Sequence, residues 1–183
     1  ESIKDPQRDW DVNAEGTRRV AAAAAKVGAS RMISASSAAV YGEPVEVPLP
    51  EDAHKEPVNP YGRSKLAAES LMAQELASTG VDFASFRFSN VYGPLQDWRG
   101  EGGVIAIFCA RLAKGDAPTI YGEGSQTRDF IFVGDIVGAI TAALRTGRSL
   151  RDGRGSGPAY NIATGRETTV NEVAANLGEA SGL

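Results

Sequence analysis

From Val20 through the run Ala21–Ala25 the chain carries the apolar stripe of one helix, with Asp11 or Asn13 placed to cap its start and Gly28 to close it. The short stretch Arg31-Met32-Ile33-Ser34 that follows reads as a strand. A second helical stripe, Leu66, Leu71 and Leu76, opens at Asn59-Pro60, where asparagine caps and proline takes the first helical position, and stops at Gly80. Val81 to Phe88 then alternates and runs apolar, as a buried strand does. Between the first strand and the second helix, Gly42 to Pro60 holds five of the nine prolines, each lacking a backbone donor, which predicts an ordered loop.

Beyond Tyr92-Gly93-Pro94 the pattern predicts a helix over Val104–Leu112, short strands at Pro118–Tyr121 and Phe130–Val133, and an amphipathic helix at Ile136–Leu144. A last strand at Tyr160–Ala163 and a last helix at Val170–Leu177 follow. Alternating strands and helices argue for an α/β fold with a parallel sheet covered on both faces. Gly147 to Gly157, with Arg148, Arg151 and Arg154 among glycines, reads as a solvated surface loop rather than a phosphate site. The lone His54 reads as a polar loop residue.

Composition narrows the function classes. The chain has 183 residues, 42% of them hydrophobic and 23% charged, enough for a folded core and not for disorder. One cysteine, Cys109, and one histidine leave neither an internal disulfide nor a His/Cys zinc site, so no metal is expected. Net charge of −4 is the wrong sign for general nucleic-acid binding. No apolar stretch approaches the roughly 20 residues of a membrane span, and a cytoplasmic protein is expected.

The candidate chemistry lies on the second helix. Tyr61 and Lys65 are four residues apart and emerge on one face. A tyrosine serving as a base near pH 7 needs its pKa lowered from about 10 by roughly three units, and a neighbouring ammonium favours the phenolate. Ser34-Ala35-Ser36-Ser37 lies just past the first strand, at the carboxyl end where parallel sheets bind ligands. A hydroxyl there, Ser37, can orient the group that Tyr61 deprotonates.

Five motifs then occur in order. They are Asn13-Ala14-Glu15-Gly16-Thr17, Ser36-Ser37-Ala38-Ala39-Val40-Tyr41-Gly42 and Asn59-Pro60-Tyr61-Gly62-Arg63-Ser64-Lys65, followed by Arg87-Phe88-Ser89-Asn90-Val91-Tyr92-Gly93-Pro94 and Tyr121-Gly122-Glu123-Gly124-Ser125-Gln126-Thr127-Arg128-Asp129-Phe130 leading to Val133-Gly134-Asp135. With these the sequence resembles the NAD-dependent epimerase/dehydratase branch of the extended short-chain dehydrogenases/reductases. The resemblance implies a partial doubly wound, Rossmann-type sheet with part of a smaller substrate-binding region. Residues 1–91 would be the second half of the NAD-binding domain, and 92–183 mainly substrate-binding, with segments returning to the sheet. It implies Ser37, Tyr61 and Lys65 as the catalytic group, and Asn13, Ser36, Tyr61, Lys65 and Ser89 at the NAD cofactor. Ser37, Asn90, Val104, Tyr121 and Arg128 would hold a nucleotide-diphosphate sugar, Asn90 and Arg128 at the diphosphate and Val104 and Tyr121 around the base. A homodimer through the two helices is also implied.

The chain departs from the family pattern at Ala106, often proline, and at Ser89, commonly phenylalanine. Relatives that dehydrate or decarboxylate their sugar place a carboxylate just after the position of Ser37, where this chain has Ala38 and Ala39. The expected activity is therefore 4-epimerisation of a UDP-glucose/UDP-galactose-type substrate by transient oxidation at C4. A dehydratase or reductase of the same branch, or a non-catalytic binder of the cofactor or sugar nucleotide, is the alternative. The chain opens on Glu1 in a loop-like stretch and holds no G-x-x-G-x-x-G unit before a helix, so a fragment is expected, binding NAD weakly and turning over little alone. The cluster Gly153-Arg154-Gly155-Ser156-Gly157 leads into Pro158 and a strand and does not supply that unit.

Overall fold

A computed structural model of the chain describes residues 2–44, 46–99, 103–151 and 158–182. The chain divides into two compact units, Glu1–Phe88 with Ala139–Ile162, and Ser89–Gly138 with Ala163–Leu183. No helix among the described residues is long and apolar enough to cross a membrane.

The first unit is built on three parallel strands in the order β1-β2-β6, namely β1 (Arg31–Ser37), β2 (Asp82–Phe88) and β6 (Ala159–Ile162). β2 is central and alternates between two cores. Phe83 packs with Met72, Leu76, Ala21 and Val81 on one face, and Ala84 and Phe86 pack with Ala143 and Leu150 on the other. Both faces are covered, which is the doubly wound arrangement the alternating pattern predicts. β1 runs three residues past the predicted Ser34, because Ala35, Ser36 and Ser37 continue the ladder opposite Phe86, Arg87 and Phe88.

The first helix starts earlier than the sequence reading placed it. Asp5 caps α1 (Pro6–Trp10) by accepting from the Arg8 N–H at 3.0 Å, and Pro6 takes the first helical position. Asp11 and Asn13 are therefore interior, in a π-helical segment (Asp11–Glu15) that joins α1 to α2 (Gly16–Lys26). Gly28, at φ 65°, closes α2 as expected, with its N–H on the Ala25 carbonyl and the Ala29 N–H on that of Ala24.

α3 (Pro60–Leu76) begins as predicted, the Asn59 side chain accepting from the Gly62 N–H at 2.8 Å. It ends at Leu76, four residues before Gly80, where Arg151 binds its last carbonyl and those of the turn that follows. That guanidinium donates to the Leu76 and Thr79 carbonyls, both at 2.9 Å, and to that of Val81. Arg151 is thus a helix-closing residue and not a solvated loop cation, and the Arg148 carbonyl accepts from Arg31 at 2.8 Å. Arg154 and its glycines lie outside the described residues.

In the second unit, α4 (Val104–Leu112) and α6 (Val170–Ser181) enclose a core of Phe108, Val170 and Val173. α6 opens on a capping box between Thr169 and Glu172. Two small ladders border this core, β3 (Asn90–Tyr92) parallel to β5 (Phe130–Phe132) and β4 (Thr127–Arg128) antiparallel to β7 (Thr168–Thr169). The strand predicted over Pro118–Tyr121 does not form. Ile120 packs into the core while Tyr121 stays 84% exposed, so no ladder partner is offered there. The predicted helix over Ile136–Leu144 is α5 (Val133–Arg145).

Candidate active site

Ser37 ends β1 and at once caps a 3-10 turn, its hydroxyl accepting from the Ala39 N–H at 3.2 Å. Against that turn lies the first turn of α3. A Cβ on Gly62 would fall 2.5 Å from the Ala39 carbonyl oxygen, so only glycine permits this approach. The approach sets the neighbouring Tyr61 beside Ser37, near enough for the serine hydroxyl to act on the phenol. Lys65, one turn along, holds its ammonium 5.6 Å from the centre of the Tyr61 ring and donates to the Ala35 carbonyl at 3.0 Å. The three residues singled out in the sequence therefore converge at the carboxyl end of β1.

Their electrostatics differ from the expectation. Burial pushes the Tyr61 phenol above its ordinary value, the Ser37 hydrogen bond pulls it back, and the Asp9 carboxylate pushes it up again. Burial holds the Lys65 ammonium below its ordinary value, with Asp9 acting to raise it. Lys65 spends its closest contact on a backbone carbonyl rather than on the phenol oxygen, so the expected lowering of the tyrosine is not present in this arrangement. One of three ammonium donors is engaged by Ala35, which leaves donors suited to a diol.

The other predicted cofactor residues are held by carboxylates. Ser36 is buried and donates to Glu69 at 2.5 Å. Asn13 donates to Asp9 and to the Ser64 hydroxyl, each at 3.1 Å. Ser89, in the second unit, donates to Asp129 at 3.1 Å. The side chains of Ser36 and Ser89 are thus committed within the fold.

Sequence reading missed the residues that fix these positions. Arg87, 3% exposed, forms a two-pronged ion pair with Glu69 at 2.6 and 2.9 Å. The guanidinium also donates to the Tyr41 hydroxyl at 2.8 Å and to the Glu51 carbonyl at 2.9 Å. The Asn161 amide donates to the Leu49 carbonyl at 2.8 Å, so the proline-rich loop is pinned at two points to the sheet. The signal for this was a lone charge inside the apolar β2 pattern. Asp129 plays the matching part in the second unit, accepting from Ser89, Thr164 and Gly165 while its backbone carbonyl accepts from the Asn90 N–H at 2.9 Å.

In that second unit Ser89, Asn90, Val104, Tyr121 and Arg128 line one cavity of about 580 Å³ together with Ile107, Gln126 and Phe130. Ser89, Asn90, Gln96, Thr119, Gln126 and Arg128 place polar groups among its apolar walls, and the Arg128 guanidinium is exposed and, among the described residues, bonded to the Thr127 carbonyl at 2.6 Å. A partly apolar slot with an exposed planar cation suits a ligand with a flat ring and an anionic group.

The model of the NAD dependent epimerase/dehydratase family matches residues 1–163. A putative UDP-glucose 4-epimerase of Methanocaldococcus jannaschii is 39% identical over 173 residues, covering 94% of this chain and 54% of the relative. The chain thus spans about half the length of the curated relatives it matches. The crystal structure of UDP-glucose 4-epimerase from Thermotoga maritima with UDP-glucose superposes with a TM-score of 0.89 at 35% identity, over 99% of this chain and 57% of that one. An NAD dependent NDP-hexosamine 5,6-dehydratase involved in tunicamycin biosynthesis superposes at 0.84 and 29% identity, over 99% and 56%. With a family model over most of its length and relatives of this identity, the chain belongs to the NAD-dependent epimerase/dehydratase family.

Proposed function

We propose that this chain carries the acid/base centre and the diphosphate grip of a nucleotide-sugar 4-epimerase of the UDP-glucose/UDP-galactose type. The observation that carries the reading is the convergence of Ser37, Tyr61 and Lys65, with Ala38 and Ala39 rather than a carboxylate following the serine. In this reading residues 1–91 complete an NAD-binding Rossmann domain and residues 92–183 mainly hold substrate. Lys65 and Tyr61 face the nicotinamide ribose, and Asn13, Ser36 and Ser89 are assigned to the cofactor. The donors left on Lys65 and the exposed edge of Tyr61 fit that diol. NAD, when bound, supplies the hydride acceptor and donor that inversion at C4 requires.

Tyr61 takes the proton of the sugar 4-hydroxyl at its phenol oxygen and later returns it. Ser37, set beside that phenol at the end of β1, orients the sugar oxygen. Asn90 and Arg128 grip the diphosphate while Val104 and Tyr121 flank the base, so binding energy far from C4 keeps the sugar from leaving during the reaction. The family's dehydratases are the alternative, and the missing carboxylate at Ala38 and Ala39 weighs against them. A homodimer would pair the α2 and α3 faces, where Val20 is 59% exposed.

The test is Tyr61→Phe in the full reading frame that encodes this chain. Removing a positioned acid/base group is expected to lower kcat about 10²–10⁴-fold, with UDP-glucose to UDP-galactose conversion followed by proton NMR. Unchanged turnover refutes the role, and a stable deoxy 4-keto product selects the dehydratase reading.

A further inference from the structure

Beneath the Tyr61–Lys65 pair lies a closed ring of hydrogen bonds, of which the proposed chemistry uses only Asn13. Ser64, 1% exposed, stands on α3 between Tyr61 and Lys65. Its hydroxyl donates to Asp9 Oδ2 at 2.5 Å and accepts from Asn13 Nδ2 at 3.1 Å. Asn13 also donates to Asp9 Oδ1 at 3.1 Å, so both carboxylate oxygens are used and α1, the π segment and α3 are tied at one point. The same Ser64 oxygen lies 3.0 Å from the Tyr61 carbonyl, which brings the ring to the backbone of the reacting residue itself. A carboxylate is the only side chain of this length that accepts on both oxygens.

We propose that Asp9 is a positioning residue for the Tyr61–Lys65 pair, holding that face of α3 through Ser64 and Asn13 and setting a fixed negative charge below it. The proposal rests on the reading of Tyr61 as the acid/base group. Geometry gives the charge its effect. Against burial it supports the Lys65 ammonium, and together with burial it opposes the Tyr61 phenolate. Asp9 thereby favours the ammonium form of the lysine and the neutral phenol of the tyrosine.

Of the other charged groups on elements packed against α3, Arg8, Arg19 and Lys26 lie exposed, Arg31 of β1 pairs with Asp82 of β2, and the rest are engaged elsewhere. Glu69 and Arg87 hold each other, Glu15 and Glu75 hold Arg18, Asp11 accepts from Gln7, and Arg63 donates to the Pro57 carbonyl. β1 and the turn after it present Ser37 and the Ala35 carbonyl, neither of them charged.

The test reads the Tyr61 phenol directly, by NMR of ring-labelled tyrosine with Tyr61→Phe identifying the resonance, beside the pH profile of kcat. Asp9→Asn is expected to move the Tyr61 midpoint and the acid limb of kcat to lower pH, and Asp9→Glu to return both toward the unsubstituted protein. Should Asp9→Asn not fold, Asp9→Ser carries the same expectation, since it keeps a hydroxyl for Ser64 and Asn13 and removes the charge. An unmoved midpoint overturns the proposal, as does an equal shift from Asp11→Asn, the exposed carboxylate next in the helix. Full turnover in Tyr61→Phe would refute the functional reading instead, while the tyrosine resonance would still decide the role of Asp9.

Discussion

Arg87 is a cation almost sealed from water in the middle of a sheet, and its two-pronged pairing with Glu69 is what makes that burial tolerable. Glu69→Gln, which removes one charge of the pair, is expected to cost about 3–5 kcal/mol of unfolding free energy. Urea denaturation measures it, and a loss below about 0.5 kcal/mol, the level of an ordinary surface change, would contradict this account. Asp82 gives a pH-dependent counterpart. Burial acts to raise its carboxyl, but the Leu150 N–H, the Ser149 hydroxyl and Arg31 outweigh burial and hold it below its ordinary value. A depressed carboxyl contributes stability above its unfolded pKa of about 3.9 and loses it as pH falls through the lower folded value. The protein is therefore expected to lose more stability than Asp82→Asn between about pH 5 and pH 2, and parallel losses would show that the carboxylate contributes nothing special.

The first turn of α3 joins helix chemistry to site geometry. Asn59→Ala removes the cap and is expected to cost about 1 kcal/mol without altering the chemistry of a correctly folded molecule. Gly62→Ala behaves differently, since its methyl meets the Ala39 carbonyl and drives Tyr61 away from Ser37. It is expected to cut kcat more than tenfold, and to cost about 1–3 kcal/mol of stability, comparing turnover with thermal melting. A Gly62→Ala protein with full turnover would show that the close approach is not needed. Much of this region was legible in the sequence: the Asn59-Pro60 start, the Gly28 closure, the buried β2 and the spacing of Tyr61 and Lys65 all follow from local rules. What stayed hidden depends on distant partners. The Asp5-Pro6 start was overlooked although it repeats the Asn59-Pro60 signature. The ends of β1 and α3 are set by β2 and by Arg151, neither of which is local. The sense of the Tyr61 shift is set by burial and by Asp9, which no spacing rule reports.

Across the chain the candidate residues fall into two groups, Ser37, Tyr61 and Lys65 in the first unit and Asn90, Val104, Tyr121 and Arg128 in the second. The proposed division of labour makes their losses distinguishable. Tyr61→Phe is expected to lower kcat with KM little changed, because it removes an interaction made during reaction. Arg128→Ala removes charge-assisted hydrogen bonds to the diphosphate, each about 1.5–3 kcal/mol, and is expected to raise KM and the Kd for UDP about 10–100-fold with kcat largely kept. Calorimetric titration with UDP checks the second, and an unaltered Kd would remove Arg128 from the grip. This grouping explains how an acidic chain can hold an anion, since one positioned guanidinium serves where net charge does not.

The central claim is that C4 is oxidised and then reduced within one enclosed cycle, with Tyr61 moving only the hydroxyl proton. Conversion of UDP-glucose by the full reading frame in deuterium oxide tests this most directly, with the product examined by proton NMR. The account predicts UDP-galactose that retains its C4 hydrogen undiluted by deuterium. Deuterium at C4 of the product would contradict it.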